Sequence, residues 1–98
     1  MAKIPLSEVP ASGGRIVTIE GKRVLVCRSA SGIHAMDEIC PHQAMSLDGA
    51  RIRGESIICP HHGARFSLED GRSMSPLTPK SLTLYPVKEE GDHLDIAL

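Results

Sequence analysis

Aromatic residues are almost absent from this sequence. It has no tryptophan, one tyrosine (Tyr85) and one phenylalanine (Phe66) in 98 residues. We therefore expect a single small domain whose core consists of aliphatic side chains. A domain of this size buries only about two-thirds of its unfolded surface, so a bound group that requires the folded site would add to its stability.

Long apolar runs and an excess of one charge are also missing. No apolar stretch approaches the roughly eighteen residues of a membrane span, and no apolar leader segment follows Met1, so we expect neither a membrane helix nor a secretory signal. The formal net charge is −1, with both signs spread along the chain, which argues against a nucleic-acid partner.

The cysteines are odd in number, and their spacing does not indicate a disulfide framework. Thiols of this kind are typical of a reducing compartment, so we expect a cytoplasmic protein. Cys27 ends the apolar run that begins at Val24. This run predicts a central strand with both faces covered, and we interpret Cys27 as a core thiol rather than a metal ligand.

Short strands dominate the pattern, with turn residues about every eight to twelve positions, which indicates an all-β sandwich or barrel. We expect a β base of about 1–37 and 80–98 and a loop-rich insert of about 38–78, within one domain of 1–98. A last hairpin is predicted around Gly91, between 82–87 and 93–98. The predicted strands are 15–19, 23–28, 33–36, 50–53, 56–58, 66–68, 72–74, 82–87 and 93–98.

Two loops in the insert each pair a thiol with an imidazole. Thiolate and imidazole both bind transition metals, and two mixed pairs match a [2Fe–2S] centre in which two histidines replace two cysteines on one iron. The alternatives are a Cys₂His₂ zinc site, which more often groups its cysteines and histidines separately, and a cysteine nucleophile. The loops read Cys40-Pro41-His42 and Cys59-Pro60-His61-His62-Gly63.

The sequence resembles the Rieske ferredoxin family over nearly its whole length. The resemblance implies a Rieske-type antiparallel β sandwich or barrel base with an inserted cluster-binding subdomain. It also implies one [2Fe–2S] cluster per chain, with Cys40 and Cys59 on one iron and His42 and His62 on the other, covered by a loop that contains Pro76. The matching positions are Cys40-Pro41-His42, Ser46-Leu47-Asp48-Gly49, Cys59 to Phe66, Asp70-Gly71, Pro76 and the final hairpin.

Four positions depart from the Rieske proteins of quinol-oxidising complexes. Met45 and His61 stand where those proteins have two disulfide-bonded cysteines, so that disulfide cannot form. Ala64 and Phe66 stand where they have a serine and a tyrosine that donate hydrogen bonds toward the cluster. Fewer donors lower the potential, so the resemblance is closest to soluble, low-potential ferredoxins.

Such ferredoxins are electron carriers and not enzymes themselves. The resemblance implies that this chain passes single electrons from a flavin-dependent ferredoxin reductase to a terminal oxygenase, of the kind that hydroxylates aromatic rings, and that it acts as a monomer. The small subunit of a nitrite reductase-like complex is the alternative. Among the remaining histidines, we interpret His34 and His93 as structural or surface residues, and we expect His61 to be exposed and to point away from the irons.

Overall fold

The computed structural model describes residues 2–41, 44–61, 63–75 and 80–98. It is an all-β structure, as predicted, with one 3₁₀ turn at Leu6–Glu8 and no α-helix in the described part of the chain. The strands are β1 (Ala2–Pro5), β2 (Gly14–Ile19), β3 (Lys22–Ser29), β4 (Gly32–Asp37), β5 (Ile39–Cys40), β6 (Met45–Ser46), β7 (Arg51–Arg53), β8 (Ser56–Ile58), β9 (Arg65–Ser67), β10 (Leu84–Tyr85), β11 (Val87–Glu90) and β12 (His93–Ile96).

An antiparallel meander of β2, β3 and β4 forms the centre, and β10 adds to the free edge of β4. The two-residue turn between β2 and β3 has positive φ at both Glu20 (51°) and Gly21 (80°). This is the turn geometry whose twist matches that of the flanking strands. The strands predicted at 15–19 and 23–28 are therefore confirmed, and this turn joins them.

The last hairpin pairs β11 with β12, and β1 adds to the other edge of β12. The prediction of one continuous strand over 82–87 was wrong, because the chain changes sheets at Pro86. Pro86 has no N–H to donate to a ladder, and its carbonyl instead accepts a hydrogen bond from the Ala97 N–H at 2.9 Å. The residues before it pair with β4, and those after it pair with β12.

Between β4 and β10 lie two smaller sheets, β5–β6 and β7–β8–β9. The predicted strand at 72–74 is reduced to one isolated bridge between Phe66 and Ser73. Two backbone hydrogen bonds flank this bridge, from Met74 N to Arg65 O at 2.8 Å and from Ser67 N to Arg72 O at 2.9 Å. The segment 72–74 therefore lies beside β9 and pairs with it over a short stretch.

The two faces of β3 pack against different cores. Val24 and Val26 belong to a buried cluster shared with β1 and β12. Leu25 and Cys27, which point the opposite way, belong to a second buried cluster that includes both predicted cysteine ligands. All four side chains are at most 1% exposed, so the prediction of a central strand covered on both faces is confirmed. In the described residues, no helix is long and apolar enough to cross a membrane.

Candidate metal centre

The two predicted thiol ligands lie in the same buried cluster. Cys40 ends β5 and is 0% exposed, and Cys59 follows β8 directly and is 2% exposed. Neither forms a disulfide. The predicted ligands His42 and His62, and the predicted covering residue Pro76, lie outside the described residues. In the part that is described, no group of three or more His, Cys, Asp or Glu side chains is placed to hold a metal ion.

The second ligand loop is closed by its own backbone. The Cys59 N–H donates to the Ala64 carbonyl at 2.8 Å, and the Gly63 N–H donates to the Cys59 carbonyl at 3.1 Å. Gly63 has a φ of +77°, which glycine adopts without the steric cost that a side chain would add. The loop therefore holds Cys59 at a fixed place in the core.

The first ligand loop is held by pairing of β5 with β6. Cys40 lies opposite Met45, and Ile39 lies opposite Ser46. Beyond this pair, the Leu47 N–H donates to the Glu38 carbonyl at 2.7 Å. The paired backbone segments 38–40 and 45–47 thus close the base of the loop.

A hydrogen-bonded network of Arg23, Glu38, Ser46 and His61 joins the central sheet to both loops. The Arg23 guanidinium donates to both Glu38 carboxylate oxygens, at 2.7 and 3.0 Å, and the Ser46 hydroxyl donates to Glu38 Oε2 at 2.7 Å. These hydrogen bonds, first that of Arg23 and then that of Ser46, hold the pKa of Glu38 below its ordinary value. The buried carboxylate is therefore charged. Both of its oxygens accept hydrogen bonds, and these hold the first loop in place.

His61 completes this network from the second loop. Its Nε2 lies 3.1 Å from the Ser46 carbonyl oxygen, and the side chain is exposed. His61 was predicted to be exposed, and it is. The sequence did not indicate that it links the two loops.

Arg23 and Glu38 were also not predicted from the sequence. The signal that identifies them is the register of the β3–β4 hairpin. Val24 lies opposite Asp37, so one further step places Arg23 beside Glu38. Opposite charges at facing positions of an antiparallel pair attract, and here they do so next to a ligand loop.

Cys27 lies in the same buried cluster as Cys40 and Cys59. Burial raises the pKa of the Cys27 thiol to about 12. The residue lies within β3 and outside both ligand loops. Both observations support the interpretation of Cys27 as a core residue.

The other described histidines have local partners. His34 Nε2 lies 2.8 Å from the Ser29 hydroxyl, which also donates to Glu55 at 2.7 Å. Burial lowers the pKa of His34, and the nearby Glu55 carboxylate partly offsets this effect. His93 Nδ1 lies 2.8 Å from an Asp92 oxygen. Both are structural or surface residues, as predicted.

The sequence is similar to known proteins over most of its length. The Rieske [2Fe–2S] domain family matches residues 2–86. The chain is 33% identical, over 95 residues, to the ferredoxin component of the naphthalene 1,2-dioxygenase system of Pseudomonas aeruginosa, which covers 97% of this chain and 91% of that protein.

Solved structures show the same fold. The ferredoxin of carbazole 1,9a-dioxygenase from Nocardioides aromaticivorans IC177 superposes with a TM-score of 0.85 at 22% identity, covering 99% of this chain and 95% of that one. A chain in the complex of reduced oxygenase and oxidised ferredoxin of carbazole 1,9a-dioxygenase superposes with a TM-score of 0.82 at 23% identity, covering 95% of this chain and 96% of that one.

Proposed function

The chain belongs to the Rieske [2Fe–2S] family, and from that premise we propose that it carries single electrons from a flavin-dependent ferredoxin reductase to a terminal oxygenase. It is a ferredoxin-type component rather than a catalytic subunit, since its relative of 33% identity is named as one. That relative serves a naphthalene dioxygenase, which supports an oxygenase of aromatic rings as the electron acceptor.

The ligand set is part of the proposal. Cys40 and Cys59 would bind one iron as thiolates, and His42 and His62 would bind the other through imidazole nitrogens. The observation that carries this assignment is the burial of both thiols in one cluster without a disulfide. The family assignment favours this cluster over a zinc site.

When bound, a [2Fe–2S] cluster of this type accepts and returns one electron. The residues of this chain serve to hold the ligand loops still and to keep water from the thiols. The turn closed by Gly63 fixes Cys59, and the Arg23–Glu38–Ser46–His61 network joins the first loop to the second. Leu47, Ala64 and Phe66, all 0% exposed, pack in the same cluster as the thiols.

Two further parts of the proposal concern organisation and location. The base of about 1–37 and 80–98 would carry the insert of about 38–78 as its redox-active part, in a protein that acts as a monomer. Three cysteines without a disulfide support a cytoplasmic location.

The test is EPR spectroscopy of the dithionite-reduced protein, purified without oxygen, with iron and acid-labile sulfide measured on the same sample. We expect an anisotropic [2Fe–2S] signal and about two iron and two sulfide ions per chain. His42→Ala and His62→Ala should each abolish the native signal, whereas His93→Ala, a partly exposed histidine on β12, should retain it. A silent sample that contains one zinc ion per chain would contradict the proposed function.

A further inference from the structure

An arginine-rich face lies beside the second ligand loop. The sheet β7–β8–β9 enters this loop at Ile58, directly before Cys59, and leaves it at Arg65, directly after Ala64. One face of the sheet packs into the core through Ile52, Ile57 and Phe66. Side chains alternate between faces along a strand, so the neighbours of these residues point outward.

The strand register shows which residues share the outward face. Arg51 lies opposite Ile58, and Ile58 lies opposite Arg65. The hydrogen bond from Met74 N to Arg65 O extends this row by one position. Arg51, Ile58, Arg65 and Met74 thus form the row nearest the ligand loop, with the backbones of Arg51 and Arg65 about 10 Å apart. Arg53 lies one row behind, about 7 Å from Arg51 along β7.

The charges on this face are not neutralised within the described structure. Of the seven arginines in the sequence, Arg15, Arg23 and Arg72 are in ion pairs with carboxylates. The described residues place no carboxylate in an ion pair with Arg51, Arg53 or Arg65, and all three side chains are exposed. A guanidinium fork is well suited to bind carboxylates of another molecule.

The same face adds one exposed apolar side chain to these charges. Met74 is 48% exposed, whereas Ile58, which lies between Arg51 and Arg65 in the row, is buried at 6% exposure. Arginine and methionine are enriched where proteins bind each other, and lysine is depleted. The chain has no lysine between Lys22 and Lys80, so every basic residue around the ligand loops is an arginine.

We propose that the face formed by Arg51, Arg53, Arg65 and Met74, the arginine face, docks a carboxylate-rich surface of a redox partner protein beside the second ligand loop. This inference rests on the proposed function and specifies the chemistry of one partner. The protein as a whole has a formal net charge of −1, so attraction of an acidic partner must come from this local cluster of positive charge. Such a field raises association rates and weakens with added salt.

Electron exchange with small charged complexes measures this field directly. The reduced protein gives one electron to hexacyanoferrate(III), whose iron becomes iron(II), and the rate is followed by stopped flow. We expect the rate constant with this anion to fall about tenfold from low to high ionic strength. With the cation hexaamminecobalt(III) as the oxidant, the rate should instead rise with salt.

A pair of double variants separates the effect of the arginine face on the rate from the effect of the net charge. R51Q/R65Q removes two charges from the face, whereas R15Q/K88Q removes two charges from exposed positions on β2 and β11. We expect the first to lose most of the salt dependence with the anion and the second to keep it. Equal slowing in both variants, or a wild-type rate that does not change with salt, would overturn the proposal.

A second measurement does not depend on a redox signal. A fluorescent ten-residue polyglutamate peptide should bind the wild-type protein and R15Q/K88Q at low salt, and bind R51Q/R65Q about tenfold more weakly. Equal binding to all three proteins would reject the arginine face. Tighter binding of a single-stranded oligonucleotide of the same length would reject a protein partner. A protein without a reducible centre would contradict the proposed function alone, and the peptide result would still decide whether the face binds acidic groups.

Discussion

At the scale of single residues, we propose two different roles for the buried thiols of one cluster. Cys40 and Cys59 end or follow short strands at the ligand loops, whereas Cys27 lies in the middle of β3 with a pKa raised to about 12. Sequence motifs distinguish them because only the first two have a histidine two or three positions later. Their common burial could not be predicted, since it depends on β3 packing in the same cluster as Cys40 and Cys59.

Cys27→Ala should keep the [2Fe–2S] signal and lower the free energy of unfolding by about 1 kcal/mol, from the small cavity that it leaves. Cys40→Ala and Cys59→Ala should lose the signal. The matched measurement is EPR of all three variants together with urea unfolding. Loss of the signal in Cys27→Ala would show that this thiol takes part in the metal site.

Gly71 is a position at which glycine is required for two reasons. Its φ is +82°, and a Cβ atom there would collide with the backbone carbonyl of Leu82. Gly71→Ala should cost roughly 3 kcal/mol of stability, from backbone strain and from displacement of the Leu82 segment. Gly91→Ala is the control, because Gly91 also has positive φ but open space around its Cα, and it should cost roughly 1 kcal/mol. Similar unfolding midpoints for the two variants would contradict the steric argument.

At the scale of elements, the strands that pair with a neighbour in the sequence were predicted well. The strands that pair with distant segments were not. β8 has the predicted bounds, β2 begins one residue earlier than predicted, and β3 and β4 each extend one residue further at both ends. β1 was missed because its partner strand β12 lies more than 80 positions away in the sequence. The split of 82–87 was missed because alternation does not show which sheet a strand joins.

The link between the central sheet and the first ligand loop depends on Arg23. Arg23→Met leaves the buried Glu38 carboxylate without two hydrogen bonds, so the first loop should open more readily. We expect loss of the cluster to a chelator to become about tenfold faster, in the range typical of residues that orient metal ligands. The measurement is the decay of visible absorbance.

Arg15→Met is the matched control for that experiment. It breaks the ion pair of Arg15 with Glu8, in which both side chains are at least 40% exposed, and exposed pairs contribute little. Equal decay rates in the two variants would show that the Arg23–Glu38 pair does not hold the ligand loop.

Ser29 and Ser31 donate hydrogen bonds to Glu55 and so join the β3–β4 turn to the β7–β8 turn. His34 on β4 lies 2.8 Å from the Ser29 hydroxyl, and its partial burial gives this contact a pH dependence. Burial lowers the pKa of His34 from its ordinary 6.5, so the unfolded chain binds the proton more tightly than the folded chain. Stability should therefore fall as the pH decreases through 6.5. His34→Gln should reduce this slope in urea unfolding midpoints. An identical slope in wild type and His34→Gln would contradict the assignment.

At the scale of the whole molecule, two cores that share one strand should differ in their dependence on the metal. One core contains Cys40 and Cys59 of the proposed ligand loops. The other core contains Val24 and Val26 together with residues of β1 and β12. Removal of iron by a chelator should increase amide hydrogen exchange in β5 to β9 well before it does so in β11 and β12. Uniform loss of protection would show that the base and the insert unfold as one unit.

The position of β3 between the two cores shows how this protein can be attached to an electrode. Lys88 lies on β11, on the far side of that strand from the buried thiols, with 72% of its side chain exposed. A surface linker at this position would leave the ligand loops and the arginine face turned toward the solution. The immobilised molecule could then be read out electrically while its docking side still meets dissolved proteins.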